Sequence, residues 1–108
     1  RGSSGMKGGT MFVHAVYFWL KDGLTLEETA RFRGGLESLR GCETVREMFI
    51  GVPAATDRPV IDRSYTFALI VIFDDLAGHD AYQVHPIHGA FVDTFNTYWT
   101  KVQIYDSN

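Results

Sequence analysis

A chain of 108 residues with 45% apolar content suits one folded domain, and a formal charge of −3 with interspersed signs leaves no basic patch for nucleic acid. Its one cysteine, Cys42, cannot close an internal disulfide, which fits the cytoplasm and frees the fold from any oxidising compartment. No apolar run approaches the roughly 18–20 residues needed to span a bilayer, and no charged-then-apolar leader opens the sequence, so no membrane is expected.

Residues 1–10, RGSSGMKGGT, are rich in Gly and Ser and read as a tag outside the fold; the native start is then Met6 or Met11, and the domain spans 11–108. Met11 to Leu20, MFVHAVYFWL, predicts a strand rich in β-branched and aromatic residues, apolar on both faces, with His14 its obvious polar member. Thr25 and Glu28 form a capping box that opens a helix from Leu26 to about Arg40, with Leu26, Thr29 or Ala30, Phe32, Leu36 and Leu39 as its buried stripe. Gly34 and Gly35 within that helix mark either a close backbone approach or simple tolerance, and Gly41 ends it. Thr44 to Val52 predicts a second strand, and Pro53 to Arg63, with two prolines and mixed charges, an exposed loop. Ser64 to Phe73, SYTFALIVIF, is a third strand, again apolar on both faces.

Asp74 or Asp75 caps a short helix ending near Val84. Pro86 has no backbone N–H and disfavours helical geometry at His85, so one helix stops before it and another starts there. That third helix runs to about Asn96, with Ile87, Phe91, Phe95 and Tyr98 on one core-facing stripe. Trp99 to Tyr105 closes as the last strand. The order is βαββαβ with its second helical segment split: an α+β, ferredoxin-like fold with a four-stranded antiparallel sheet and helices on one face. The opposite face would then expose more apolar surface than a monomer tolerates, which predicts a sheet-to-sheet homodimer closing a barrel.

His88 falls in the first turn of the third helix, where unpaired N–H groups and the positive end of the helix dipole disfavour an imidazolium. A neutral histidine there suits a general base, and Tyr82, at the end of the preceding helix, brings a phenol to the same end of the fold. The competing readings are a structural His88 and an ordinary core Tyr82. His14 is either a pocket residue or a satisfied core histidine; His79 reads as surface, and Cys42 as inert. His85 and His88 are spaced to share a metal, but the proline break leaves His85 to cap a backbone N–H, and no further ligand stands at a recognised spacing. Neither metal nor cofactor is therefore expected. A ligand held between helices and sheet would touch His14, His85, Phe91 and Trp99.

Three blocks together make the chain recognisable: HAVYFWLKDG with His14, then Tyr82, His85, Pro86, His88 and Phe91 in the spacing Y-x2-HPxH-x2-F, then YWTKVQIYD. Read in this order, they resemble the stress-responsive A/B barrel domain family of small dimeric α+β barrels, over nearly everything from Met11 on. Relatives of that family include the plant polyketide cyclase olivetolic acid cyclase, whose catalytic Tyr and His match Tyr82 and His88. The resemblance implies an aldol-type ring closure on a small, apolar, carbonyl-containing ligand. The alternatives are a non-catalytic stress or scaffold dimer and, third, by analogy of fold alone, a monooxygenase-like relative.

Overall fold

The structure is a computed structural model that describes residues 10–108; residues 1–9, on which most of the tag reading falls, lie outside the described residues. Strands β1 (Phe12–Leu20), β2 (Glu47–Gly51), β3 (Phe67–Phe73) and β4 (Trp99–Ser107) form one antiparallel sheet in the order β2-β3-β1-β4. Helices α1 (Leu26–Ser38), α2 (Leu76–Gln83) and α3 (Pro86–Phe95) complete the expected ferredoxin-like arrangement. No helix among the described residues is long and apolar enough to cross a membrane.

β1 shows why the fold needs both of its faces. Its burial alternates strictly from Phe12 to Phe18, although its hydrophobicity does not. Phe12, His14, Val16 and Phe18 point toward the helices, as do their neighbours Phe67, Leu69, Val71 and Phe73 of β3. Phe18, Phe32, Phe91, Phe95 and Trp99 then interlock as the aromatic centre of the core, with ring centroids 5.3 to 6.2 Å apart. Such pairs contribute roughly 0.5–1.5 kcal/mol each beyond the area they bury. The other face carries Val13, Ala15, Tyr17, Ile70 and Ile72, with Phe49 and Tyr105 largely exposed on it.

Local sequence explains the helix ends. The capping box at Thr25 is complete: Glu28 N–H donates to Thr25 Oγ1 at 3.0 Å, and Thr25 N–H to Glu28 Oε1 at 2.9 Å. Asp75 rather than Asp74 caps α2, its Oδ1 accepting from Gly78 N–H at 3.0 Å. A Cβ at Gly35 would run into the Phe95 ring, whereas one at Gly34 would meet nothing within 4 Å. Close approach of α1 and α3 therefore accounts for Gly35 and tolerance for Gly34.

Several expectations need correction. Leu26 is 92% exposed and takes no part in the buried stripe, which Phe32 and Leu36 carry. The helix ends at Ser38 and tightens to a 3-10 turn over Leu39–Gly41. β2 and β3 are shorter at their outer ends than predicted. β4 runs on to Ser107, because its last residues still find partners along β1.

Candidate active site

The cavity that concerns chemistry lies between the helix face of β1–β4 and the α2–α3 junction. Its volume is about 170 Å³, small beside the roughly 300–1,000 Å³ of ordinary ligand pockets. Val16, Phe18, Leu69, Phe91 and Trp99 make its walls apolar, while His14, Tyr82, Gln83 and His88 supply the polar groups. At its rim Ile104 of β4 is 45% exposed, because β4 is an edge strand that the helices only partly cover. A larger hollow of about 300 Å³ lies on the outer sheet face, lined by Tyr17, Trp19, Asp62, Tyr65, Gln103 and Tyr105. It holds no histidine and stands apart from the Tyr82–His88 pair, so volume alone does not identify the site.

The break between α2 and α3 builds the pair. Val84 ends α2, and His85 is extended (φ −65°, ψ 139°) as the N-cap of α3, with Pro86 at the first helical position. That turn folds the end of α2 against the start of α3. The Tyr82 and His88 rings meet edge to face, with centroids 4.9 Å apart and planes at 67°.

Burial lowers the His88 pKa below the ordinary imidazole value, and the nearby imidazoles of His14 and His79 act in the same direction. The dipole at the start of α3 acts in the same direction. His88 is therefore neutral near pH 7 and carries a free lone pair. Burial raises the Tyr82 pKa well above that of an ordinary phenol, with Cys42 adding to the effect. Tyr82 accordingly keeps its proton and can only act as a hydrogen-bond donor or neutral acceptor. Its side chain is 1% exposed, and among the described residues its hydroxyl has no hydrogen-bond partner.

His14 adds a second layer. Its Nδ1 lies 2.6 Å from Asp106 Oδ1, and the β1–β4 register sets the two residues side by side. Burial lowers the His14 pKa and outweighs the opposing pull of the Asp106 carboxylate. In the resulting neutral form, Nδ1–H donates to the carboxylate, which fixes the ring.

The structure brings His14, Tyr82, His88, Phe91 and Trp99 to one cavity. His85 is elsewhere: its Nδ1 accepts from Ile87 N–H at 3.1 Å, and its Nε2 lies 3.5 Å from Glu43 Oε1. It stabilises the start of α3 and does not line the cavity. His79, expected at the surface, is instead packed against the Phe12, His14 and Phe73 rings, because α2 lies directly over the start of β1. Sequence reasoning misses Asp106 and Gln83. For Asp106 the missing information is the register of β4 against β1; Gln83 carries a signal, since it adjoins Tyr82 at the end of α2.

Among solved structures, a Dabb family protein with a ferredoxin-like fold from Mesorhizobium loti is 29% identical to this chain, with a TM-score of 0.74 over 91% of this chain and 95% of that one. A dimeric ferredoxin-like protein of unknown function from Thermobifida fusca is 21% identical, with a TM-score of 0.75 over 92% and 91% of the two chains. A hydroxynitrile lyase from Passiflora edulis is 18% identical, with a TM-score of 0.77 over 92% and 93%. No curated protein sequence matches the chain. Residues 12–108 match the family model of the stress responsive A/B barrel domain, Dabb, the family that the three sequence blocks resemble, and the chain belongs to it.

Proposed function

We propose that this protein binds a small, apolar, carbonyl-containing compound and acts on it by acid–base chemistry, with His88 as base and Tyr82 as donor. The observation that carries the reading is the meeting of a neutral imidazole and a buried phenol at the wall of one apolar cavity. His88 takes a proton from the carbon alpha to the carbonyl, and Tyr82 donates a hydrogen bond to the oxygen as enolate charge develops. The enolate carbon then attacks a second carbonyl carbon of the same molecule, closing a ring as the resemblance to the cyclase implies, and the alkoxide left by the broken C=O π bond takes the proton back from His88. A cavity of about 170 Å³ favours a compact substrate over a long chain. His14 orients the ligand, and Phe91 and Trp99 supply the apolar wall.

The protein works as a homodimer through its outer sheet face, a reading supported by the apolar residues exposed there and by the dimeric neighbour from T. fusca. The free, buried Cys42 supports a cytoplasmic setting.

Deuterium exchange tests the chemistry even while the substrate is unidentified. Small aldehydes and ketones are incubated with the protein in D2O, and alpha-proton loss is followed by NMR. Catalysed exchange by the wild type and background exchange by His88→Ala are expected. Equal exchange by the two proteins, across a panel that includes bound ligands, would leave the chain as a non-catalytic dimer.

A further inference from the structure

His14 in β1, His79 in α2 and Asp106 in β4 come together from three separate elements, with ligand atoms all within 4.8 Å of one another. His14 Nδ1 lies 2.6 Å from Asp106 Oδ1, and His79 Nε2 lies 4.0 Å from Asp106 Oδ2. Protons do not satisfy this arrangement completely. The Asp80 carboxylate is an acceptor, so the tautomer of His79 with its proton on Nδ1 donates to Asp80 Oδ1 at 3.1 Å and leaves a lone pair on Nε2. That lone pair accepts a long hydrogen bond of 3.3 Å from the Gln83 amide, and Asp106 Oδ2, also an acceptor, lies 4.0 Å from it. Two electron-pair donors facing each other suit a cation between them.

We propose that His14, His79 and Asp106 bind a divalent transition-metal ion of the zinc type. Bonds of about 2.0–2.1 Å in tetrahedral geometry place ligand atoms roughly 3.3 Å apart. The Asp106 carboxylate, which now turns Oδ1 to His14 Nδ1 at 2.6 Å and Oδ2 to His79 Nε2 at 4.0 Å, must therefore swing to bring one oxygen to about that distance from both nitrogens. Asp106 can make that adjustment, since it lies on an edge strand with its side chain 40% exposed, which also gives the ion a way in. His14 then holds its remaining proton on Nε2. Two imidazoles and one carboxylate favour zinc, cobalt or nickel over magnesium or calcium. An ion there ties edge strand β4 to α2 and β1. It uses neither His88 nor Tyr82, and shares only His14 with the cavity of the proposed reaction.

A second trio, Cys42, Glu43 and His85, serves as the control, because one nitrogen of His85 is already taken by the Ile87 N–H. Chelator-treated protein is titrated with Zn²⁺ and Co²⁺ by calorimetry and by visible absorption of bound cobalt. One equivalent per chain is expected, with a higher melting temperature in Zn²⁺ and none in Mg²⁺. His79→Ala and Asp106→Asn should each weaken binding by at least about 10-fold, the smallest loss usual even for residues that only support a ligand. His79→Gln replaces the alanine variant if circular dichroism shows that the latter does not fold. No saturable binding, equal binding by these variants, or binding abolished by His85→Ala would each overturn the proposal.

Discussion

Tyr82→Phe separates a residue kept for the fold from one kept for a ligand. The ring packs against Phe73 and His88, with centroids 5.2 and 4.9 Å away, and phenylalanine preserves both contacts. Only the hydroxyl is lost, from a side chain 1% exposed and without a partner among the described residues. A buried hydroxyl left unsatisfied costs about 1–3 kcal/mol, so its removal should leave stability unchanged or raise it by up to about 2 kcal/mol. For a domain of this size, each kcal/mol shifts the melting temperature by about 4 °C. Urea denaturation followed by circular dichroism reads the change directly. Catalysed exchange should meanwhile fall by about 10²–10³-fold, the usual effect of losing one donor to a developing oxyanion. A stability loss of about 1 kcal/mol or more, the worth of a satisfied hydrogen bond, would refute the reasoning. It would mean that the fold, and not a ligand, uses the hydroxyl.

Ile70 and Val71 are adjacent but face opposite ways, so aspartate at each should fail differently. Ile70→Asp puts a charge on the outer face and should give a folded monomer by light scattering, whereas Val71→Asp, at a site with 0% exposure, should not fold. Gly34→Ala should stabilise α1 by about 1 kcal/mol in thermal denaturation, and Gly35→Ala should destabilise it by about 1–3 kcal/mol against the Phe95 ring. His88 titrates below the ordinary value of about 6.5, so the unfolded chain takes up this proton first. Its contribution to stability should be complete above pH of about 6.5 and lost as the pH falls through its folded value, and catalysed exchange should follow the same limb. An acid limb above pH of about 7 would contradict the assignment.

What was legible in the sequence was local or periodic. Pro86 cannot continue a helix, and Thr25 with Glu28 satisfies its own backbone, so these boundaries follow from nearby atoms. The order of elements was equally plain and led to the sheet, while the two apolar faces of β1 and β3 led to the expected sheet-to-sheet dimer. Asp106 and His79 could not be reached this way. Each matters through a residue on another element, and a shift of one position in the β4 register would turn Asp106 to the opposite face. Leu26 shows the converse limit: its spacing fits the stripe, yet it is exposed, since periodicity gives a face of the helix and not how far along it the packing extends.

The His14–Asp106 contact joins residues 92 positions apart, across the pairing of the first strand with the last. Closing so large a loop is entropically costly and gains little until β3 and the helices have already fixed β1. β4 should therefore dock late in folding, and the polar side of the cavity should form with it, after the aromatic core has condensed. Early folding intermediates would then hold the Tyr82–His88 pair, whose members are six residues apart, while still lacking Asp106. Pulse-labelled hydrogen exchange would register this as protection of β1 and β3 amides before those of β4.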